Sequence, residues 1–329
     1  MRIGLVITPF DETNLQLAAQ VGAEEIVFYD MNGMPTTVEA LLEKKRQAER
    51  YGLMMRIIEG GPPMDKIVLA KPGRDAQIEH FNRCLVNMGQ AGFTVLCYNF
   101  MPWSLRVART SYETSVRGGA LSSSFDFSKW NDARRTEDGE TSPEQMWENF
   151  DYFLRAVLPT AEKSGVFLAL HPDDPPISKL CGLARIFSSV EDFERLVKLE
   201  PSPYNGITFC QGTFAEMGAD IPAAIRRFAD RIHFVHFRDI RGSRLNFVEI
   251  FHDEGKTDMF EAMRCYKEIG FKGVMRPDHV PLLANEVNLP GGFVAAGFSV
   301  GKATGYTMMG RLFAVGYMRG LIEALDKTR

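Results

Sequence analysis

Short apolar runs recur along the chain, each followed by a longer stretch in which apolar positions return every three or four residues. The runs at 2–7, 25–30, 54–59, 94–99, 166–171, 206–210, 232–236 and 273–277 read as strands. The stretches at 13–21, 38–51, 76–92, 143–164, 190–199, 221–230, 258–269 and 306–327 carry helical spacing. Short apolar runs alone do not separate helix from strand, so the chemistry at the starts matters. Thr36-x-x-Glu39 and Ser142-Pro143-x-Gln145 are capping-box patterns, the second with proline at the first helical position. Eight strands, each followed by a helix, predict an α/β protein with the (β/α)8 TIM-barrel architecture rather than a doubly wound sheet. A dinucleotide-binding sheet would need a G-x-G-x-x-G turn after its first strand. The chain has Thr8-Pro9-Phe10-Asp11 there.

Two connections are long, and both follow strands, the fourth and the eighth, which in a barrel places them over the C-terminal mouth. The first, 101–141, is rich in Arg, Ser, Thr and Gly and contains Trp103 and Trp130; the second, 280–304, contains Leu289-Pro290-Gly291-Gly292-Phe293. Structureless loops of this length are expected to be lids, binding loops or subunit contacts. No linker, internal repeat or low-complexity tract divides the chain, so residues 1–329 are expected to form one barrel domain, with 103–141 and 281–304 as mouth loops. The net charge of −4, with acids and bases interspersed, argues against a nucleic-acid or membrane-surface partner. The five cysteines, Cys84, Cys97, Cys181, Cys210 and Cys265, are scattered without a C-x-x-C, which fits reduced thiols in a cytoplasmic protein. The start shows no signal-peptide core. The Met- and aromatic-rich last helix and the long loops make a homodimer the expected assembly.

Chemistry concentrates at the ends of the last four strands, which close on His171, Cys210, His236 and, just past the eighth, Asp278. In a parallel barrel these tips converge, and two imidazoles, a thiolate and a carboxylate would fill most of a cation's coordination shell. Singly, each has a plainer reading: a loop histidine, an inert buried thiol, a loop-capping aspartate. Their occurrence at four successive tips favours shared ligation. Such a donor set accepts Zn, Fe(II), Mn(II), Co(II) or Ni(II). His233, in the same strand as His236, is expected on the opposite, helix-facing side. Asp173 and Asp174 follow His171, Arg238 and Asp239 follow His236, Arg276 and His279 flank Asp278, and Tyr306 opens the last helix. These would supply cations for an organic acid, carboxylates for sugar hydroxyls, and groups for proton transfer. A solvated ion-pair rim is the plainer alternative.

At these residues the chain resembles the metal-dependent mannonate dehydratase family, the kind unrelated to the enolase superfamily. The motifs that carry the resemblance are CYNFMP at 97–102, HPDDPP at 171–176, FCQG at 209–212, VHFRD at 235–239, RPDH at 276–279 and GYTMMGRLFAVGYMRGLIEAL at 305–325. The resemblance implies a (β/α)8 barrel that removes water from D-mannonate to give 2-dehydro-3-deoxy-D-gluconate, using Mn(II) or Fe(II). It implies His171, Cys210, His236 and Asp278 as metal ligands, with His279 and Tyr306 as the acid/base pair. Arg276, Arg238, Asp173, Asp174 and Asn99 are then expected to bind the sugar acid. The chain departs from the family pattern after 97–102, where it reads Trp103-Ser104-Leu105-Arg106, and in the glycine-rich approach to Gly305. Mouth loops select substrate, so reaction class is expected to transfer more firmly than the identity of the acid. An isomerase or epimerase would need acids at several tips, and Glu59 is the only glutamate at an expected strand tip. A zinc hydrolase or a non-catalytic, metal-stabilised barrel are the remaining alternatives.

Overall fold

Eight parallel strands close into a barrel in sequential order. The computed structural model describes residues 1–29, 33–105 (Trp103 by its backbone), 108–284, 286 and 304–327. The strands are β1 (Arg2–Leu5), β2 (Glu25–Phe28), β3 (Met54–Glu59), β4 (Val95–Asn99), β5 (Phe167–His171), β6 (Asn205–Cys210), β7 (Ile232–His236) and β8 (Val274–Arg276). The main helices are α1 (Glu12–Gln20), α2 (Val38–Glu49), α3 (Arg74–Gln90), α4 (Pro143–Ser164), α5 (Val190–Leu199), α6 (Ile221–Arg227), α7 (Met259–Glu268) and α8 (Met308–Lys327). The (β/α)8 expectation therefore stands.

Alternation along each strand separates two packing layers. Val6, Val27, Ile57, Val95, Cys97, Ala169, Phe234 and Val274 fill the barrel interior. Their strand neighbours, such as Leu96, Tyr98, Leu168 and Phe209, pack outward with the helices. Tyr98, for example, meets Phe81 of α3 and Phe153 of α4 at ring separations of 6.4 and 5.9 Å. The same period carries Glu59, Asn99, His171, Cys210, His236 and Arg276, the last residues of β3 to β8, into the mouth. Register sets the level: Asn99 pairs with His171, Cys210 with His236, and His236 with Arg276.

One strand breaks the period. The β6–β7 register skips His233, so that Ile207 pairs with Ile232 and Thr208 with Phe234. A bulge places successive side chains on one face. His233 consequently lies inside the barrel floor, 4.6 Å from the Phe167 ring, over Gly206, where a Cβ would come within 2.2 Å of the imidazole. The expected helix-facing position is thus corrected; the ring serves packing all the same.

The helix starts also refine the sequence reading. Ser142 caps α4 through the Gln145 amide at 3.2 Å, with Pro143 at the first position. For α2 the cap is Thr37, not Thr36: the Thr37 hydroxyl accepts from the Ala40 amide, while the Thr36 carbonyl accepts from Asn87 of α3. Two short helices, Asp65–Val68 and Gln211–Met217, were not anticipated.

The connection after β4 is not structureless. It contributes strands Ser111–Ser115 and Leu121–Asp126 to an antiparallel sheet completed by Ile240–Ser243 and Asn246–Glu249, a hairpin that follows β7. Phe125 pairs with Phe247 across this sheet, and the Arg109 guanidinium lies 5.0 Å from the Phe247 ring. Because both inserts leave C-terminal strand ends, the sheet stands at the mouth. Most of the second expected loop, 281–304, lies outside the described residues.

Candidate metal centre and acid/base pair

The β5, β6 and β7 tips and the segment past β8 bring His171, Cys210, His236 and Asp278 together. One donor atom from each lies within 4.8 Å of every other. Cys210, His236 and Asp278 are almost wholly buried and His171 partly so. The His171 Nδ1 lies 2.7 Å from the Pro172 carbonyl, which can only accept, so this nitrogen carries the proton and Nε2 is left as the donor. His236 faces Asp278 through Nδ1 at 3.4 Å and Glu59 through Nε2 at 3.3 Å, and neither nitrogen makes an aligned hydrogen bond. A buried ring with unpartnered nitrogens beside three other donors fits a cation ligand.

Electrostatics favours the anionic donors. Burial alone would push the Cys210 thiol up, but the Arg238 guanidinium and His171 hold it well below its usual range. The Thr213 hydroxyl also donates to its sulfur at 3.1 Å. Asp278 is likewise held low against burial by His279, Arg276 and His236. Thiolate, carboxylate and two imidazoles fit a divalent ion.

Around this cluster runs a network of buried ion pairs. Arg238 donates to Asp278 at 3.0 Å, Glu216 at 3.2 Å, Thr213 at 3.0 Å and Asp174 at 3.4 Å. Arg276 holds Glu59 bidentately at 2.8 and 2.6 Å and reaches Asp278 at 2.9 Å. Asp174 is clamped by Arg109 at 2.7 and 2.8 Å. Asp173 accepts the Phe187 amide at 2.9 Å, pinning the segment after β5. These four residues, expected to face substrate, are occupied by protein partners. Asp239 is tied to Thr257. Asn99 stays half-buried at the β4 tip beside His171, with no side-chain hydrogen bond among the described residues.

His279 and Tyr306 do meet: His279 Nε2 lies 2.9 Å from the Tyr306 hydroxyl. Tyr306 precedes α8 rather than opening it, held by an antiparallel bridge between Val280 and Gly305. Gly305 takes φ +96°, in the left-handed region that favours glycine, next to the His279 ring. On the other side, His279 Nδ1 faces Glu249 at 2.5 Å. Burial lowers the imidazole pKa, but Asp278 and Glu249 raise it further, leaving it above its ordinary value. Burial pushes the Tyr306 phenol well above its usual range.

A barrel with this geometry has close relatives. The chain matches the sequence model of the D-mannonate dehydratase (UxuA) family over residues 7–141 and 137–329. The chain belongs to the D-mannonate dehydratase family. Mannonate dehydratase 2 of Halalkalibacterium halodurans is 33% identical over 97% of both chains. The mannonate dehydratase of Oceanobacillus iheyensis is 34% identical over 86% of this chain and 84% of its own. The crystal structure of the Streptococcus suis serotype 2 mannonate dehydratase superposes with a TM-score of 0.86 at 31% identity, covering 99% of this chain and 94% of that one. D-Psicose 3-epimerase from Clostridium cellulolyticum H10, with a TM-score of 0.59 at 14% identity, shares the fold alone.

In this member of the mannonate dehydratase family, sequence reasoning missed Glu59 and Glu249 as parts of the site. Glu59 carried a signal, being a lone glutamate at a strand tip. Glu249 carried none, because it reaches His279 only through the hairpin after β7. Arg109 and Ser123, which hold Glu249, lie in the insert after β4.

Proposed function

We propose that this protein is a hydro-lyase that converts D-mannonate to 2-dehydro-3-deoxy-D-gluconate and water. The observation that carries this reading is the His279–Tyr306 pair, one residue beyond Asp278 and 2.9 Å apart. His171, Cys210, His236 and Asp278 would hold one divalent ion, Mn(II) or Fe(II), with Zn(II) also suited to the donors. When bound, such an ion supplies positive charge for the substrate's carboxylate and the oxygen beside it.

The residues supply the remainder. Dehydration takes a weakly acidic proton from C2 and expels hydroxide from C3, so one group must accept a proton while another gives one. Glu249 fixes the protonated Nδ1 of His279, which directs Nε2 at the reacting atoms. The Tyr306 hydroxyl, within hydrogen-bond distance, is the second proton carrier. Glu59, 3.3 Å from His236 Nε2, supplies a carboxylate behind a ligand histidine. The enol product then tautomerises to the 2-keto acid. An epimerase would need opposed acids at the tips, whereas Glu59 is turned to Arg276 and His236.

No described helix is long and apolar enough to cross a membrane. Five buried free cysteines support a cytoplasmic setting. The exposed Met309 and Phe313 on α8 support a homodimer, which size-exclusion chromatography with light scattering would test. For the activity, the metal-stripped protein is reconstituted with Mn(II) and 2-keto-3-deoxy acid formation is followed from a panel of hexonates. Turnover of D-mannonate is expected; isomerisation of free sugars without aldonate turnover would reject the reading.

A further inference from the structure

Five arginines are buried among the described residues: Arg109, Arg185, Arg238, Arg276 and Arg311. Four are engaged. Arg109 is held by Asp174 and Glu249, Arg238 by Asp278 and Glu216, and Arg276 by Glu59. Arg185 donates to the Leu105 and Pro175 carbonyls and lies 3.8 Å from Asp173. Arg311 differs. It is 0% exposed, and its Nε and both terminal nitrogens have no hydrogen-bond partner among the described residues.

A buried guanidinium with no carboxylate hydrogen-bonded to it is destabilising, so its presence here points to an anion that arrives later. The neighbouring carboxylates do not fill that role. Asp278 and Glu59 are taken by Arg238 and Arg276, and Glu286 accepts the Leu283 and Met309 amides. The position is informative. Arg311 sits in the first turn of α8, with its guanidinium carbon 5.6 Å from the centre of the Tyr306 ring. Burial and the nearby Arg276 lower its pKa to about 10, and Asp278 and Glu59 are close enough to act on it in turn. The free cation therefore borders the acid/base pair. The amide end of a long helix adds positive potential at the same place.

We propose that Arg311 binds the carboxylate of the sugar acid, through the planar two-pronged fork that guanidinium offers to carboxylates. This rests on the dehydratase reading and specifies it. With the acid group anchored beside Tyr306, C2 and C3 lie toward His279 and the four metal donors. Arg276 and Arg238, whose nitrogens are already committed, then act as struts for Glu59 and Asp278. The ligand is a small anion, since full burial of Arg311 excludes a macromolecule.

The test compares wild type with R311M and R311K, each metal-loaded, using D-mannonate and its neutral amide, D-mannonamide. In both variants KM for D-mannonate is expected to rise by at least about 30-fold, while inhibition by the amide stays within about threefold. Metal content should equal that of wild type. The melting temperature of the substrate-free R311M should not fall, because an uncompensated buried charge has been removed; an arginine with only a structural role would lower it. An unchanged KM, or an equal loss for acid and amide, overturns the proposal. If R311M does not fold, the R311K result decides. If wild type does not dehydrate D-mannonate, the dehydratase reading fails on its own, and thermal shift by hexonates decides for Arg311. Stabilisation of wild type but not of the variant supports the site; stabilisation of both, or of neither, overturns it.

Discussion

Cys210 illustrates how a single side chain is set for its role. Its sulfur is buried, receives the Thr213 hydroxyl, and is held as an anion chiefly by Arg238. Replacing Cys210 by Ala should abolish retention of a divalent ion, measured by plasma mass spectrometry after gel filtration, while circular dichroism remains that of the wild type. Wild-type metal content in C210A would remove the residue from the ligand set. Glu249 makes the second residue-scale case. Changing Glu249 to Gln keeps the shape but removes the charge facing His279, so kcat should fall by roughly 10- to 100-fold with KM little altered. A matching rise in KM with unchanged kcat would show that Glu249 serves substrate binding instead. The four candidate donors and His279 were legible because each lies at a strand tip or in a motif beside one, whereas Tyr306, just before α8, gained its place in the acid/base pair only through the family resemblance. Glu249 was not, since nothing local in Asn246–Glu249 distinguishes it from any hairpin residue.

At the scale of elements, period and capping did most of the work. Ser142 was read correctly as the start of α4, and truncating it to Ala should destabilise the fold by about 1 kcal/mol, measured by urea denaturation. The adjacent capping threonine was placed one residue early, because Thr36 and Thr37 are both competent and only the chain's entry direction chooses between them. The insert after β4 was read as structureless for a clear reason: Ser111–Ser115 and Leu121–Asp126 are rich in serine and lack apolar alternation. Ser111–Ser115 pairs with Leu121–Asp126, and the latter finds its other partner, Asn246–Glu249, only beyond residue 239, after β7. That sheet can be tested through Gly242, at φ +111°, where a Cβ would stand 2.2 Å from the Asn246 carbonyl. A G242V substitution should distort the hairpin, displace Glu249 and reduce kcat while the barrel still folds. Unimpaired kcat would separate the hairpin from the chemistry.

For the whole molecule, the barrel floor makes stability depend on pH. Burial lowers the His233 pKa from 6.5 to about 4. Between those values the unfolded chain binds a proton that the folded barrel excludes, so stability rises with pH across the window. The contribution is complete above about pH 6.5 and is lost as pH falls toward 4. An H233F variant should therefore lose less melting temperature than wild type between pH 6.5 and pH 4.5, with equal slopes at neutral pH. Parallel curves would show that His233 takes up its proton without unfolding. The bulge behind this behaviour was hidden from the sequence, since strict alternation assigned His233 to the helices and only the β6–β7 pairing reveals the skipped residue.

The sequence by itself determined the barrel and the identity of the candidate donors at its mouth. Strand period, helix period and the residue that ends each strand are local properties, and parallel closure brings tips together whatever fills the loops. Tertiary structure alone decided which charged groups are free. Arg276 finds Glu59 across 217 positions and Arg109 finds Asp174 across 65, so neither pairing leaves a trace in local pattern. Only after these partners are placed does Arg311 stand out, because a charge without a hydrogen-bond partner among the described residues is defined by everything around it rather than by its own position in the chain.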